Sequence, residues 1–137
     1  MYKLVTIDLD GTLLNSYGEI SERNKNAIKN AVSKGVEIVI ASGRPLQSAR
    51  SFALEAGASN YAICGNGSLL YNVKNNEILF DKFIERQKVL EIIKICEENS
   101  IFYCLYTENL TISKSLNYNI LFYNNENNKH KDNLRYL

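Results

Sequence analysis

Residues 4 to 12, Leu-Val-Thr-Ile-Asp-Leu-Asp-Gly-Thr, constrain the fold more than any other stretch of the chain. A short apolar run that ends abruptly in two carboxylates, Gly11 and Thr12 reads as a buried strand delivering Asp8 and Asp10 to its carboxyl end. That end is where ligands bind in open α/β sheets. Strand side chains alternate in direction, so a spacing of two sends both carboxylates to one side unless the backbone turns first. Gly11 is suited to making that turn.

Two carboxylates this close repel each other, and burying both in ionised form is costly unless a cation, a shared proton or strong donors compensate. A hard divalent ion fits best: Mg2+ is held by one or two carboxylates together with waters and phosphate oxygens. Asp8 and Asp10 are therefore candidate metal ligands. Asp8 is also the candidate nucleophile, forming an aspartyl phosphate, and Asp10 the candidate general acid and base. The bland alternative is an Asp-Gly turn after an ordinary strand. The apolar run followed by the complete Asp-x-Asp-Gly-Thr favours chemistry.

Further along, Ser21 is a helix N-cap and Gly35 a stop, with Ala27, Ile28, Ala31 and Val32 forming one apolar stripe. Val36 to Ala41 is a second strand, so strand, helix and strand make one parallel unit. Pro45 then sits at a helix start, and Leu46, Ala49, Phe52, Ala53 and Ala56 recur at helical spacing before Gly57. Ser42 and Gly43 thus lie at a strand-to-helix junction, where free backbone amides and a hydroxyl suit an anion, although Ser-Gly alone also makes a plain turn. Arg44 could contact phosphate or pair with a surface carboxylate. A third strand, Tyr61 to Cys64, leads into Gly65-Asn66-Gly67, where Asn66 could orient nucleophile or substrate, or simply turn the chain. Leu69–Tyr71 and Ile78–Phe80 flank Asn75-Asn76 as a hairpin. A helix is expected from about Glu85 to Glu98 and a strand across Phe102–Tyr106. The Asn-rich remainder carries no readable pattern.

Asp8-Leu9-Asp10-Gly11-Thr12 resembles the first signature motif of the haloacid dehalogenase superfamily. The resemblance implies that Asp8 is the nucleophile, that Asp10 is the general acid and base, and that the metal takes the Asp8 carboxylate and the Asp10 backbone carbonyl. The strand running into Ser42-Gly43-Arg44-Pro45 resembles the second motif, whose hydroxyl bonds the transferring phosphoryl group. Asn66-Gly67 resembles the Cof-type branch, whose members carry an α/β cap. Thr12, Ser42, Gly43, Arg44 and Asn66 are accordingly the candidate substrate-binding residues.

The fold expected is a three-layer, Rossmann-like α/β architecture of this type with a partial parallel sheet in residues 1–82 and the beginning of an α/β cap in 83–137. Two further motifs of the family, a Lys and an acidic Gly-Asp cluster, have no match at Lys114, Lys129, Lys131 or Asp132, so the chain is expected to stop inside the cap. The first strand is then a poorly protected sheet edge, which predicts self-association.

The function expected is a magnesium-dependent phosphatase for a small phosphorylated metabolite, weak or inactive as this chain alone. A sugar phosphomutase of the same superfamily and a non-catalytic metal- or phosphate-binding fragment are the alternatives. A net charge of +1, with both signs interspersed, gives no nucleic-acid footprint. No apolar run approaches the roughly 20 residues of a membrane span, so a cytoplasmic protein is expected. Cys64, Cys96 and Cys104 read as reduced core residues, and His130, in a polar tail, as solvated.

Overall fold

The computed structural model describes residues 2–58, 60–108 and 110–113. Met1–Asp81 form one compact unit, and the chain from Lys82 onward belongs to a second.

In the first unit β1 (Leu4–Ile7), α1 (Glu22–Ser33), β2 (Glu37–Ala41), α2 (Leu46–Ala56), β3 (Tyr61–Cys64), β4 (Leu69–Asn72) and β5 (Glu77–Asp81) follow one another. The five strands form one sheet in sequence order, parallel from β1 to β3 and antiparallel from β3 to β5. The register pairs Ile7 with Ile40, Ile40 with Ala62 and Ala62 with Tyr71, while Cys64 pairs with Leu69. With a period of two, these residues and Ile38 share one face of the sheet. All of them but Ile7, which packs against it, belong to the core, into which α2 sends Leu46, Ala49, Phe52, Ala53 and Ala56. Every apolar position that the helical spacing of 46–56 picked out is buried.

Helix α1 begins as the sequence indicates, the Ser21 hydroxyl accepting the Asn24 N–H at 3.2 Å. It lies beside α2, to which Lys25 reaches across to Glu55. Ile28 is buried and Ala31 and Val32 pack on the core, but Ala27 is exposed. One residue turns a helix by about 100°, so Ala27 lies at the margin of a stripe centred on Ile28. The sheet and one helical layer of the three-layer arrangement are present among the described residues. β1 is an edge of the sheet, with Leu4 and Val5 exposed.

In the second unit α3 (Arg86–Glu98) precedes β6 (Cys104–Tyr106) and β7 (Thr111–Ser113), an antiparallel pair. The strand expected from Phe102 starts only at Cys104, and Phe102 is exposed. β7 was not legible in the sequence. All three cysteines are free, but only Cys64 is buried; Cys96 and Cys104 are half-buried, which corrects their reading as core residues. Lys114, Lys129, His130, Lys131, Asp132 and the asparagines at 124–128 lie outside the described residues. No helix among the described residues is long and apolar enough to cross a membrane.

Candidate active site

The carboxyl ends of β1, β2 and β3 lie side by side because the three strands are parallel neighbours, and the candidate residues follow these ends directly. After β1 the backbone makes one wide turn, the N–H groups of Leu13 and Leu14 donating to the carbonyls of Asp8 and Leu9 at 3.1 and 3.0 Å. Gly11 permits it with φ +76°, a left-handed conformation that side chains oppose. Leu9 and Leu13 anchor the turn in the core, while Asp8 and Asp10 remain exposed. The expectation of a buried strand ending in these carboxylates is thereby corrected, since Leu4, Val5 and Thr6 of β1 are exposed along with Asp8 and Asp10. Solvent reaches both carboxylates.

Asp8 is extended at the strand end, and its Oδ2 accepts the Thr12 hydroxyl at 3.3 Å. Asp10 receives a two-pronged ion pair from Arg44: Nε donates to Oδ2 at 2.8 Å and Nη2 to Oδ1 at 2.7 Å. Arg44 is itself only 8% exposed, its Nη1 donating to Ser48 Oγ at 3.1 Å and its guanidinium lying 5.0 Å from the centre of the Phe52 ring. The hydrogen bond from Arg44 holds the Asp10 carboxyl below the usual carboxylate range, outweighing the opposing effect of partial burial. Of the two readings open for Arg44, the structure shows a pairing with an exposed carboxylate, and that carboxylate is the candidate-site residue Asp10. Sequence reasoning missed this pair because its members are 34 residues apart and belong to different strand–helix units.

The loops after β2 and β3 brace each other. Ser42 N–H donates to Ile63 O at 2.9 Å, Gly65 N–H to Arg44 O at 2.9 Å and Asn66 N–H to Ser42 O at 3.3 Å. Ser42 is buried, and its Oγ accepts the Arg44 N–H at 3.2 Å, which leaves the hydroxyl hydrogen to donate elsewhere. The Gly43 amide donates to no acceptor among the described residues. A Cβ on Gly43 would lie 2.7 Å from Asn66 Oδ1, so any larger residue there would displace the Asn66 side chain. Asn66 itself sits at φ +56° and makes no side-chain hydrogen bond to Asp8 among the described residues. Thr12 with Asp8, Asp10 with Arg44, and Gly43 with Asn66 are thus brought together in pairs.

The donor set fits a hard cation in part. Asp8 is exposed and suited to one, while each Asp10 carboxylate oxygen accepts one hydrogen bond from Arg44 and keeps a further lone pair. Among the described residues no group of three or more His, Cys, Asp or Glu side chains gathers around a common point.

A family model described as haloacid dehalogenase-like hydrolase matches residues 5–136. The chain belongs to that family, in its Cof-type branch. It is 30% identical to the phosphatase YwpJ of Bacillus subtilis over 105 residues, which cover 77% of this chain and 36% of that protein. It is 34% identical to a putative phosphatase of Buchnera aphidicola over 119 residues, 86% of this chain and 44% of that protein. A haloacid dehalogenase-like hydrolase from Bacteroides thetaiotaomicron superposes with a TM-score of 0.82 at 26% identity, covering 100% of this chain and 52% of that one. The chain therefore spans between about a third and about half of the length of these relatives.

Proposed function

We propose that this chain carries the nucleophile and the phosphate-handling loops of a Mg2+-dependent phosphatase that hydrolyses a small phosphorylated metabolite. One observation carries the reading. At the carboxyl ends of β1 and β2, an exposed carboxylate held by Thr12 is joined by a second carboxylate under Arg44 and by a loop whose Ser42 hydroxyl hydrogen and Gly43 amide remain available to phosphoryl oxygens. Membership of the family and the phosphatases among its relatives support it.

In this reaction Asp8 attacks the phosphorus of the ester. The bond from phosphorus to the leaving oxygen breaks, and that oxygen takes a proton from Asp10. Water then adds to the phosphorus of the aspartyl phosphate and gives a proton to Asp10, and the bond from Asp8 to phosphorus breaks to release inorganic phosphate. Both carboxyl groups return to their starting states. Ser42 and Gly43 donate to the phosphoryl oxygens and orient the group in line with Asp8. Mg2+, when bound, neutralises phosphoryl charge; the Asp8 carboxylate and the Asp10 backbone carbonyl would hold it. The hydrogen bond from Arg44 stabilises the ionised form of Asp10, which makes its carboxyl a stronger acid toward the leaving oxygen and a weaker base toward water. A phosphoryl dianion arriving beside Asp10 favours the protonated form that the first half-reaction needs.

The test is release of inorganic phosphate from p-nitrophenyl phosphate, paired with calorimetric titration of Mg2+. Asp8→Asn is expected to abolish turnover and to weaken Mg2+ binding, because one substitution removes both the nucleophile and an anionic ligand. Turnover and Mg2+ affinity that survive Asp8→Asn unchanged would overturn the assignment.

A further inference from the structure

The guanidinium of Arg44 is engaged on three sides. Its Nε and Nη2 edge takes both oxygens of Asp10, its Nη1 takes Ser48 Oγ, and its face lies over Phe52, which is fully buried. Its backbone is fastened as well, the N–H to Ser42 Oγ and the carbonyl to the Gly65 N–H. Pro45 adds a covalent constraint, because the residue before a proline is kept out of the helical conformation and so stands clear of the helix that follows. Ser48 and Phe52, four residues apart on α2, present one stripe to the guanidinium.

Asp10, in contrast, has little hold of its own. It lies in the middle of the wide turn with non-helical angles, its side chain is 58% exposed, and its neighbour Gly11 has nothing near the place a Cβ would occupy. The side chain of Asp10 is thus set from the second strand–helix unit and not by its own loop.

We propose that Arg44 is a positioning residue for Asp10, locked in place by Ser48 and Phe52, and that the phosphoryl group is left to Ser42 and Gly43. The fork of an arginine fixes both the place and the rotation of a carboxylate, which a lysine ammonium cannot do. The inference rests on the reading of Asp10 as proton carrier for its kinetic arm only.

Arg44→Lys and Ser48→Ala test it against two esters, p-nitrophenyl phosphate, whose leaving group needs no proton, and an alkyl phosphate, whose leaving group does. In Arg44→Lys, turnover of the alkyl ester is expected to fall about a hundredfold and that of p-nitrophenyl phosphate by a much smaller factor, since misplacing a general acid penalises poor leaving groups. The inhibition constant of inorganic phosphate should stay within about twofold, as expected when a ground-state contact to phosphate is not removed. Ser48→Ala should move the same quantities in the same direction by less.

Equal slowing of both esters with phosphate inhibition weakened about tenfold would make Arg44 a phosphate ligand and overturn the proposal. A second readout is independent of turnover. The amides of Leu13 and Leu14 close the turn on which Asp10 lies, and their hydrogen exchange should quicken about tenfold in Arg44→Lys while the amides of α1 keep their protection. Unchanged exchange at these two amides would overturn the proposal even in a protein that turns over neither ester. Loss of activity in Asp8→Asn concerns the reaction and is decided separately.

Discussion

The two units of the chain use apolar residues in different ways. Up to Asp81, strands and helices alternate, and the apolar residues of β2, α2, β3 and β4 close on each other in one core. From Lys82 on, α3 is amphipathic yet has no buried residue, leaving Leu90, Ile92 and Ile95 about half exposed, and Thr111 is the only buried residue among those described. Periodicity shows which face of an element is apolar but not how completely that face is covered. In the first unit the covering elements are neighbours in sequence; in the second, the described elements bury little of one another. Whatever precise geometry the candidate site has is thus built on the first unit, where packing fixes the loops that follow each strand.

The sharpest way to break this comparison is to truncate one apolar side chain in each unit. Phe52 is fully buried, and Phe52→Ala should cost about 3–5 kcal/mol through lost burial and the cavity left behind. Leu90 is 50% exposed, and Leu90→Ala should cost about 1 kcal/mol or less. Urea unfolding followed by circular dichroism measures both. Similar costs would show that α3 is as well buried in solution as α2.

Cysteine reactivity sharpens the same contrast without any substitution. Burial pushes the Cys64 thiol up to about 12 from an ordinary 9.0. At pH 8 its thiolate population, and with it its alkylation rate, should be about a thousandfold below that of an unperturbed thiol. Cys96 is half-buried; the Cys104 thiol is raised by partial burial, against a hydrogen bond with Tyr106 that lowers it. Iodoacetamide labelling followed by peptide mass spectrometry should find Cys96 and Cys104 modified while Cys64 is intact. Equal rates at all three would mean that the core around Cys64 opens as readily as the second unit.

How much of this was legible in the sequence follows from the range of the signal. Tyr61–Cys64 is found as the sequence places it, because a short apolar run between turn residues has few other uses, and the helix at 46–56 was plain from five apolar positions before Gly57. The wide turn at Asp8–Leu14 was legible only as a turn: Gly11 signals a change of direction but not the solvent exposure of both carboxylates. Arg44 left two readings open because an ion pair across 34 residues has no periodicity. The strand at Thr111–Ser113 was missed because three residues are too few to show alternation, and Phe102 and Tyr103 read as strand although the ladder begins only at Cys104. Family resemblance added what local pattern did not assign, the Asp10 backbone carbonyl as an expected metal ligand and Thr12 as an expected substrate-binding residue.

The smallest expected effect separates ion pairs that tie elements together from those that do not. Lys25 of α1 bonds Glu22 on its own helix at 3.2 Å and Glu55 of α2 at 2.9 Å, so it links two helices of the first unit. On α3, Lys88–Glu85 and Lys94–Glu98 lie within one helix, and both partners of each are exposed. Pairs of the second kind compete with water at both ends and contribute little. Lys25 is raised above its ordinary value by its hydrogen bond to Glu55, reinforced by that to Glu22. A cation raised in the folded state stabilises fully below its unfolded value and loses that contribution as pH climbs through the folded one, here above about pH 10.5. Lys25→Gln should therefore lower the urea midpoint slightly at pH 7, and the difference should shrink as salt rises toward about 1 M, where charges are screened over about 3 Å. Lys94→Gln should leave the midpoint unchanged at either salt concentration. A salt-independent loss in Lys25→Gln would mean that its aliphatic stem, packed between the helices, matters more than its charge.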